Sequence, residues 1–384
     1  EAYAPVYACD PTFAANCPEL LLYRGDGQPE HLGELLAIAD PGNFEWQRYW
    51  STLYGEAADQ IGFDGFHLDS YGYPRAALDA SGAGVDMRAA YSAFLGAVRA
   101  ARPAELMSFN QVNGVPARLQ LPDGWGFRYV EAWPPNNAWR HLEGLLDRSD
   151  PRPGAPGGRG AIACYPPVWA NDRPAALRTV TCTEAIVTSL GASLLVFGDR
   201  DGVLRDPYYP NYETLSRDEA ATVLRWRRFA LRCRDLFSEG EDTSWNEVGD
   251  ENGAVVLTGA APVYPEPLGQ ALFARVARHD GWVAVGVVDL TGSANGLWSE
   301  PTAAGRCRSV RVQVLLERPE QWSVTAAVLG ASGDRFTPLS SQVVDHREGR
   351  AVEVELPLAA GWSVLRLRRP GHAAHGLTGP SARI

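Results

Sequence analysis

The sequence predicts an α/β fold: a (β/α)8 TIM-type barrel, N-terminally incomplete with about six strands present, followed by an all-β antiparallel sandwich. Three observations predict it. Before Gly240, apolar strand-like runs alternate with amphipathic helical stretches, which is how parallel strands joined by crossovers read. After Gly240 the chain turns to short alternating strands separated by Gly, Pro and Asp. Acids and amides gather at the C-terminal ends of several early strands, Asp69, Asn110, Asn113, Glu131, Asn171 and Asp199 among them, and a barrel carries its chemistry at that end. Such repeats without a G-x-G-x-x-G turn leave an open doubly wound sheet as the other architecture, and the polar strand ends favour the barrel.

Taken in order, the strand-like runs are Tyr3 to Cys9, Gly62 to Asp69, Leu106 to Val112, Phe127 to Trp133, Ala161 to Tyr165 and Ala192 to Phe197. Helical spacing of apolar residues falls between them at Phe44 to Ile61, Met87 to Arg102, Ala175 to Leu190 and Arg217 to Phe237, the last opened by Ser216 as N-cap. The sandwich strands are Gly253 to Leu257, Trp282 to Asp289, Val310 to Leu316, Ser323 to Leu329, Ala351 to Leu356 and Trp362 to Leu367. The expected domains are residues 1–240 for the partial barrel, 241–369 for the sandwich and 370–384 for a disordered tail.

Composition narrows the function. The chain has 384 residues, with 35 basic residues, all Arg, against 46 acidic ones, for a net charge of -11. That balance disfavours nucleic acid and anionic membranes as partners. No apolar run approaches the roughly 18 residues of a spanning helix, so membrane insertion is not expected. The absence of Lys excludes Schiff-base aldolases, pyridoxal enzymes and P-loop nucleotide hydrolases. Six cysteines without C-x-x-C spacing and seven histidines without H-E-x-x-H argue against a zinc site, and no metal or other cofactor is expected. A disulfide such as Cys9 to Cys17 is left open. Residue 1 is Glu and no secretory leader is visible, so the N-terminus reads as a cut end.

The densest chemical signal is Gly62-Phe63-Asp64-Gly65-Phe66-His67-Leu68-Asp69-Ser70-Tyr71-Gly72. A strand's period of two puts His67 and Asp69 on one face, Asp64, Phe66 and Leu68 on the other, and Asp69 at the strand's end. Asp69 there either attacks a bound substrate or caps the following turn. The second signal is Phe127-Arg128-Tyr129-Val130-Glu131-Ala132-Trp133-Pro134-Pro135, a strand carrying one carboxylate beside an aromatic and ended by prolines. Desolvation beside Trp133 would suit Glu131 to general-acid work; an exposed edge Glu, or a partner for Arg128, is the structural alternative. Two carboxylates at neighbouring strand ends among aromatics are what glycoside cleavage requires. Trp125, Trp133, Trp139, Trp169, Tyr71, Tyr165, Tyr208 and Tyr209 supply the aromatics, some of them as ordinary core. Asp199-Arg200-Asp201-Gly202 opens like a calcium loop but lacks the remaining acidic ligands.

These motifs, with Phe109-Asn110-Gln111-Val112-Asn113-Gly114 and the run from Gly191-Ala192-Ser193 through Gly198-Asp199 to Tyr208-Tyr209-Pro210-Asn211, occur in an order that resembles glycoside hydrolase family 66. That family contains dextranases and cycloisomaltooligosaccharide glucanotransferases. The resemblance implies a retaining, endo-acting glycosidase for α-1,6-linked glucan, with the nucleophilic aspartate falling on Asp69 and the acid/base glutamate on Glu131. It implies a cleft lined by His67, Tyr71, Asn110, Asn113, Trp133, Asp199, Tyr209 and Asn211. The family's glucanotransferases carry a module inserted late in the barrel, for which residues 131–199 leave no room, so dextranase-like hydrolysis is favoured. Two steps depart from the family pattern: Phe66-His67-Leu68 before the nucleophile and Leu194-Leu195-Val196 in a later strand. The implied partner is an α-glucan, the implied site of action extracellular, the implied state a monomer. Competing expectations are an α-amylase-type glucanase, whose pattern wants Arg at His67, and a glucan-binding protein without turnover.

Overall fold

The computed structural model describes residues 2–70, 72, 76–103, 106–116, 119, 127–149, 160–166, 169, 172–196, 202–205, 212–249, 253–329, 335–358 and 360–371. The fold is mixed α/β and separates into two compact units, residues 1–133 with 144–152, and residues 134–143 with 153–384. The expected tail beyond 371 lies outside the described residues.

In the first unit, strands β1 (Ala2–Pro5), β2 (Gly65–Asp69), β3 (Leu106–Asn110) and β4 (Phe127–Glu131) pair in that order, all parallel. Helices α1 (Phe44–Ile61) and α2 (Met87–Ala101) make the crossovers. Capping places both helices: the Asn43 and Asp86 side chains each accept two first-turn amide N–H groups, and α1 ends where Gly62 adopts a φ of 80°. In α2, Met87, Ala90, Tyr91, Phe94, Leu95 and Val98 form one buried stripe. The stripe packs on the strands' apolar face, where Phe66, Leu68, Met107 and Phe109 are buried in the same cluster. Tyr54 lies 4.6 Å from Phe66 and Tyr91 5.4 Å from Phe109 between ring centroids. Each such side chain contributes about 1.5–3 kcal/mol on burial, enough to lock which face of the sheet meets the helices. A one-residue slip would bury His67, Asp69, Ser108 and Asn110 in that core instead.

The second unit opens with the parallel pair β5 (Ala161–Ala163) and β6 (Ser193–Leu195), linked by α3 (Arg173–Ser189). Helix α4 (Arg217–Ser238) follows, with a full capping box between Ser216 and Glu219. Glu184 of α3 is buried and accepts from the Arg227 guanidinium of α4, which also donates to the Leu194 carbonyl. Burial raises the Glu184 carboxyl above its ordinary range, opposed by Arg227.

The rest is antiparallel. One sheet runs β8 (Leu272–His279), β9 (Trp282–Asp289), β14 (Trp362–Arg368), β11 (Ser323–Val328), and another runs β7 (Val255–Thr258), β10 (Ser309–Leu315), β13 (Gly349–Pro357), β12 (Ser341–His346). Valines at alternate positions, such as Val310, Val312 and Val314 of β10 and Val283, Val285 and Val287 of β9, fill one shared core. Trp362 of β14 meets Phe229 of α4 with ring centroids 4.7 Å apart, so α4 packs on the first of these sheets.

The expected helices of the early half are present and so are its strands within shorter bounds, except that the Tyr3 to Cys9 run breaks after Pro5, Ala8–Cys9 pairing antiparallel with Leu36–Ile38; among the described residues no closed barrel is seen. Cys9 and Cys17 form no disulfide. No helix among the described residues is long and apolar enough to cross a membrane.

Gly65 is where β2 and β3 approach most demandingly, since a Cβ there would stand 2.0 Å from the Leu106 carbonyl oxygen. Gly65→Ala is expected to destabilise the protein by about 1–3 kcal/mol through overpacking. Gly55→Ala, in the interior of α1 with no neighbour within 4 Å of a new Cβ, should instead stabilise by about 0.5–1 kcal/mol. Urea unfolding of the two variants beside the parent reads both signs.

Candidate active site

The face of the first unit's sheet turned away from the helices is polar, and it is layered by register. His67 is opposite Ser108, and two residues further along, at the C-terminal end of β2 and β3, Asp69 reaches Asn110. Asn110 is itself opposite Tyr129, two residues before Glu131 on the same face of β4. Side-chain contacts across the strands then join His67 to Ser108 and Tyr129 in one layer and, above it, Asn110 to Asp69 and Glu131 in another.

In the upper layer the Asn110 side-chain amide donates from Nδ2 to Asp69 Oδ1 at 2.8 Å and to Glu131 Oε2 at 3.1 Å. A planar amino group opens its two N–H bonds by roughly 120°, which sets the two accepting oxygens about 5 Å apart. All three side chains are enclosed: Asp69 is 8% exposed, Glu131 9% and Asn110 3%. Asn110 Oδ1 is buried with no hydrogen-bond partner among the described residues. Arg128 lies on the opposite face of β4 and donates to the Leu119 carbonyl, while the exposed Asp64 uses its main-chain carbonyl to accept from Leu106.

The loops beyond the strands are tied to this layer. Ser70 Oγ donates to the Asn110 carbonyl at 2.6 Å, and the Gln111 amide N–H donates to the Tyr129 carbonyl. Asn113, at a positive φ of 54°, turns its side-chain oxygen to accept the Trp133 amide N–H at 2.7 Å. Asn113 thus positions the segment following Glu131, with Trp133 half-buried at its end. Gly72 also has a positive φ, 68°, and a Cβ there would stand 2.7 Å from Val112 Cβ. The loop after Asp69 is consequently pressed against the turn after β3.

In the lower layer the His67 ring packs edge-on to Tyr129 at 4.9 Å, and Nδ1 is 2.8 Å from Ser108 Oγ. Burial pushes the imidazole down from its ordinary 6.5 to about 4, so it is neutral at neutral pH.

Of the residues expected in the cleft, the structure brings Asp69, Asn110 and Glu131 into one hydrogen-bonded group, sets His67 directly below and joins Asn113 to Trp133. Tyr71, Asp199, Tyr209 and Asn211 lie outside the described residues, as do Trp125, Asn171, Tyr208 and the Asp199 to Asp201 run. In the second unit Trp139 and Trp169 are core side chains, the first donating to Thr183 Oγ1. Ser70, Ser108, Gln111 and Tyr129 were not singled out from sequence; the parity of β3 and β4 with Asn110 and Glu131 was the signal that could have placed Ser108 and Tyr129. No cluster of three His, Cys, Asp or Glu side chains suited to a metal ion occurs among the described residues.

Comparison with known proteins gives one family. The model for glycosyl hydrolase family 66 matches residues 19–365. A cycloisomaltooligosaccharide glucanotransferase of Niallia circulans is 27% identical over 175 residues, a match covering 38% of this chain and 17% of that protein. A second such protein from the same organism is 26% identical over 129 residues, covering 29% and 13%. The chain therefore matches less than a fifth of the length of these curated relatives. Among solved structures, a Paenibacillus sp. cycloisomaltooligosaccharide glucanotransferase complexed with cycloisomaltoheptaose superposes with a TM-score of 0.79 at 14% identity, covering 95% of this chain and 72% of that one. An α-amylase from Geobacillus thermoleovorans reaches 0.52 at 8% identity, covering 92% and 73%. At such identities these likenesses concern the fold alone.

The buried imidazole has a measurable consequence. Between about pH 6.5 and 4 the unfolded chain binds a proton that folded His67 refuses, so this contribution to stability is complete above the unfolded value and is lost as the pH falls towards 4. The urea midpoint of the parent is expected to fall between pH 7 and 4.5 more steeply than that of His67→Gln, by at most one proton's worth of slope.

Proposed function

The chain belongs to glycosyl hydrolase family 66, and on that footing we propose that it cleaves α-1,6-glucosidic bonds of dextran-type glucans with retention of configuration, acting within the chain. The observation that carries this reading is that a single amide bonds both Asp69 and Glu131; ideal amide geometry then implies oxygens about 5 Å apart, which supports a retaining pair over the roughly 6.5–9.5 Å of an inverting one. Asp69 attacks the anomeric carbon as the glucosyl oxygen departs, and Glu131 gives its proton to that oxygen. The products of this step are a β-glycosyl ester on Asp69 and an ionised Glu131. Glu131 then takes a proton from water, which attacks the anomeric carbon, breaks the ester and restores both carboxyl groups.

His67 stays neutral beneath the pair and adds no charge, and Trp133, held through Asn113, offers an apolar face suited to a sugar ring. In the same proposal the fold is read as a partial (β/α)8 barrel with a C-terminal sandwich, and Tyr71, Asp199, Tyr209 and Asn211 complete the cleft. The substrate is a polymer that does not enter cells, which places the activity outside the cell.

A second reading rests on the relatives, which are named as glucanotransferases. In it the bound glucan's own distant 6-hydroxyl replaces water at the second step and the product is cyclic. Mass spectrometry separates the two, since a cyclic product is lighter by one water than its linear counterpart.

Reducing-sugar release from dextran, with starch and pullulan as controls, tests the assignment. Asp69→Asn is expected to reduce activity on dextran to background, and Glu131→Gln to lower it by about 10²–10⁴-fold. Cleavage of starch in preference to dextran would replace the α-1,6 reading with an amylase-type one, and binding of dextran without turnover would replace it with a glucan-binding one.

A further inference from the structure

We propose that Asn110 is a positioning residue that sets the ionisation of both carboxylates and follows the negative charge as it moves between them; this rests on the reading of Asp69 and Glu131 as the reacting pair. Both hydrogens of its amino group are committed, one to each carboxylate, at 2.8 and 3.1 Å. The cost of that orientation is visible on the other side of the amide, where Oδ1 is buried without a donor among the described residues. Turning the amide over would aim its oxygen at the Asp69 carboxylate, which can only accept, so Asp69 dictates the orientation.

Donation to a carboxylate favours its charged form, and two carboxylates about 5 Å apart disfavour each other's charge. Asn110 counters that repulsion from between them. Over the cycle the pair carries one negative charge, first on Asp69 and, once the ester has formed, on Glu131. The amino group reaches both positions without moving, so its bond to Glu131 strengthens as its bond to Asp69 weakens. The amide is already in place for the charge at either end and needs no reorganisation as the charge moves, which acts on kcat rather than on binding. The other described titratable groups on this face are the neutral His67 of β2, the phenol of Tyr129 of β4 and, by register opposite His67, Tyr3 of β1; the turn over Val112–Gly114 carries none, and Asp64 and Arg128 belong to the opposite face.

The test is a ¹³C carboxyl NMR titration of the whole protein, with Asp69→Asn and Glu131→Gln used to assign the two resonances, on the parent and on Asn110→Ala and the isosteric Asn110→Asp. In Asn110→Ala both apparent titrations of the pair are expected to rise by about one pH unit. Asn110→Asp adds a third carboxyl in place of the donor and should raise them further. On dextran, both limbs of the kcat/KM against pH profile of Asn110→Ala should move up together, with kcat lowered about 10²-fold and KM little changed. Carboxyl titrations that stay at the parent's values in a folded Asn110 variant of either kind would overturn the proposal. Should the titrations move while the parent leaves dextran uncut, the role of Asn110 stands and the dextran reading falls.

Discussion

Two hydrogen bonds from one side-chain amide hold the site together, and the rest of the first unit can be read as the means of making them. Asp69, Asn110 and Glu131 come from three different strands and are distant in sequence; the parallel pairing of β2, β3 and β4 puts them on one face at the strands' C-terminal ends, within reach of the Asn110 amide. That register rests on the alternate residues Phe66, Leu68, Met107 and Phe109 being buried under α1 and α2. It also rests on Gly65, whose missing side chain admits the β3 backbone at a distance no other residue tolerates. The apolar face fixes the polar one because the strand period is two.

Enclosure gives the arrangement its chemical value. In a buried layer an amide donating to a carboxylate is worth more than in water, and a carboxylate without such a partner would be driven to its neutral form. The layer below adds an imidazole held neutral by burial, so the pair is not flanked there by a cation that would keep both carboxylates ionised. A general acid next to a nucleophilic carboxylate needs such a balance, with the pair carrying a single negative charge throughout.

Much of this fold was legible in the sequence, and what was missed shows what a sequence lacks. Helix α1 reads to the residue because Asn43 and Gly62 mark its ends with local chemistry. Strand β9 reads as cleanly from its Val repeat. Strand β8 did not: it is buried on both faces yet carries Arg275 in its middle, which breaks any alternation. Arg275 is only 1% exposed and is paired with Glu143 and Asp242, partners remote in sequence that no local pattern announces. Edge strand β12 was missed for the opposite reason, being too exposed to show a hydrophobic period. At the site, the period of two put Asp69 on its face, the strand-like runs put Asn110 and Glu131 at neighbouring strand ends, and the family resemblance supplied their roles. The bridging of both acids by Asn110 was not legible, because inter-strand register is a property of packing across the sheet.

The central claim is that Asp69 and Glu131 act as a close pair, and the stereochemistry of the first product tests it most directly. Proton NMR of the reducing end newly released from dextran, recorded before mutarotation, should show the α-anomer first, as two displacements at the same carbon require. A β-anomer formed first would mean a single displacement by water, and would contradict the geometry that Asn110 imposes on the two carboxylates.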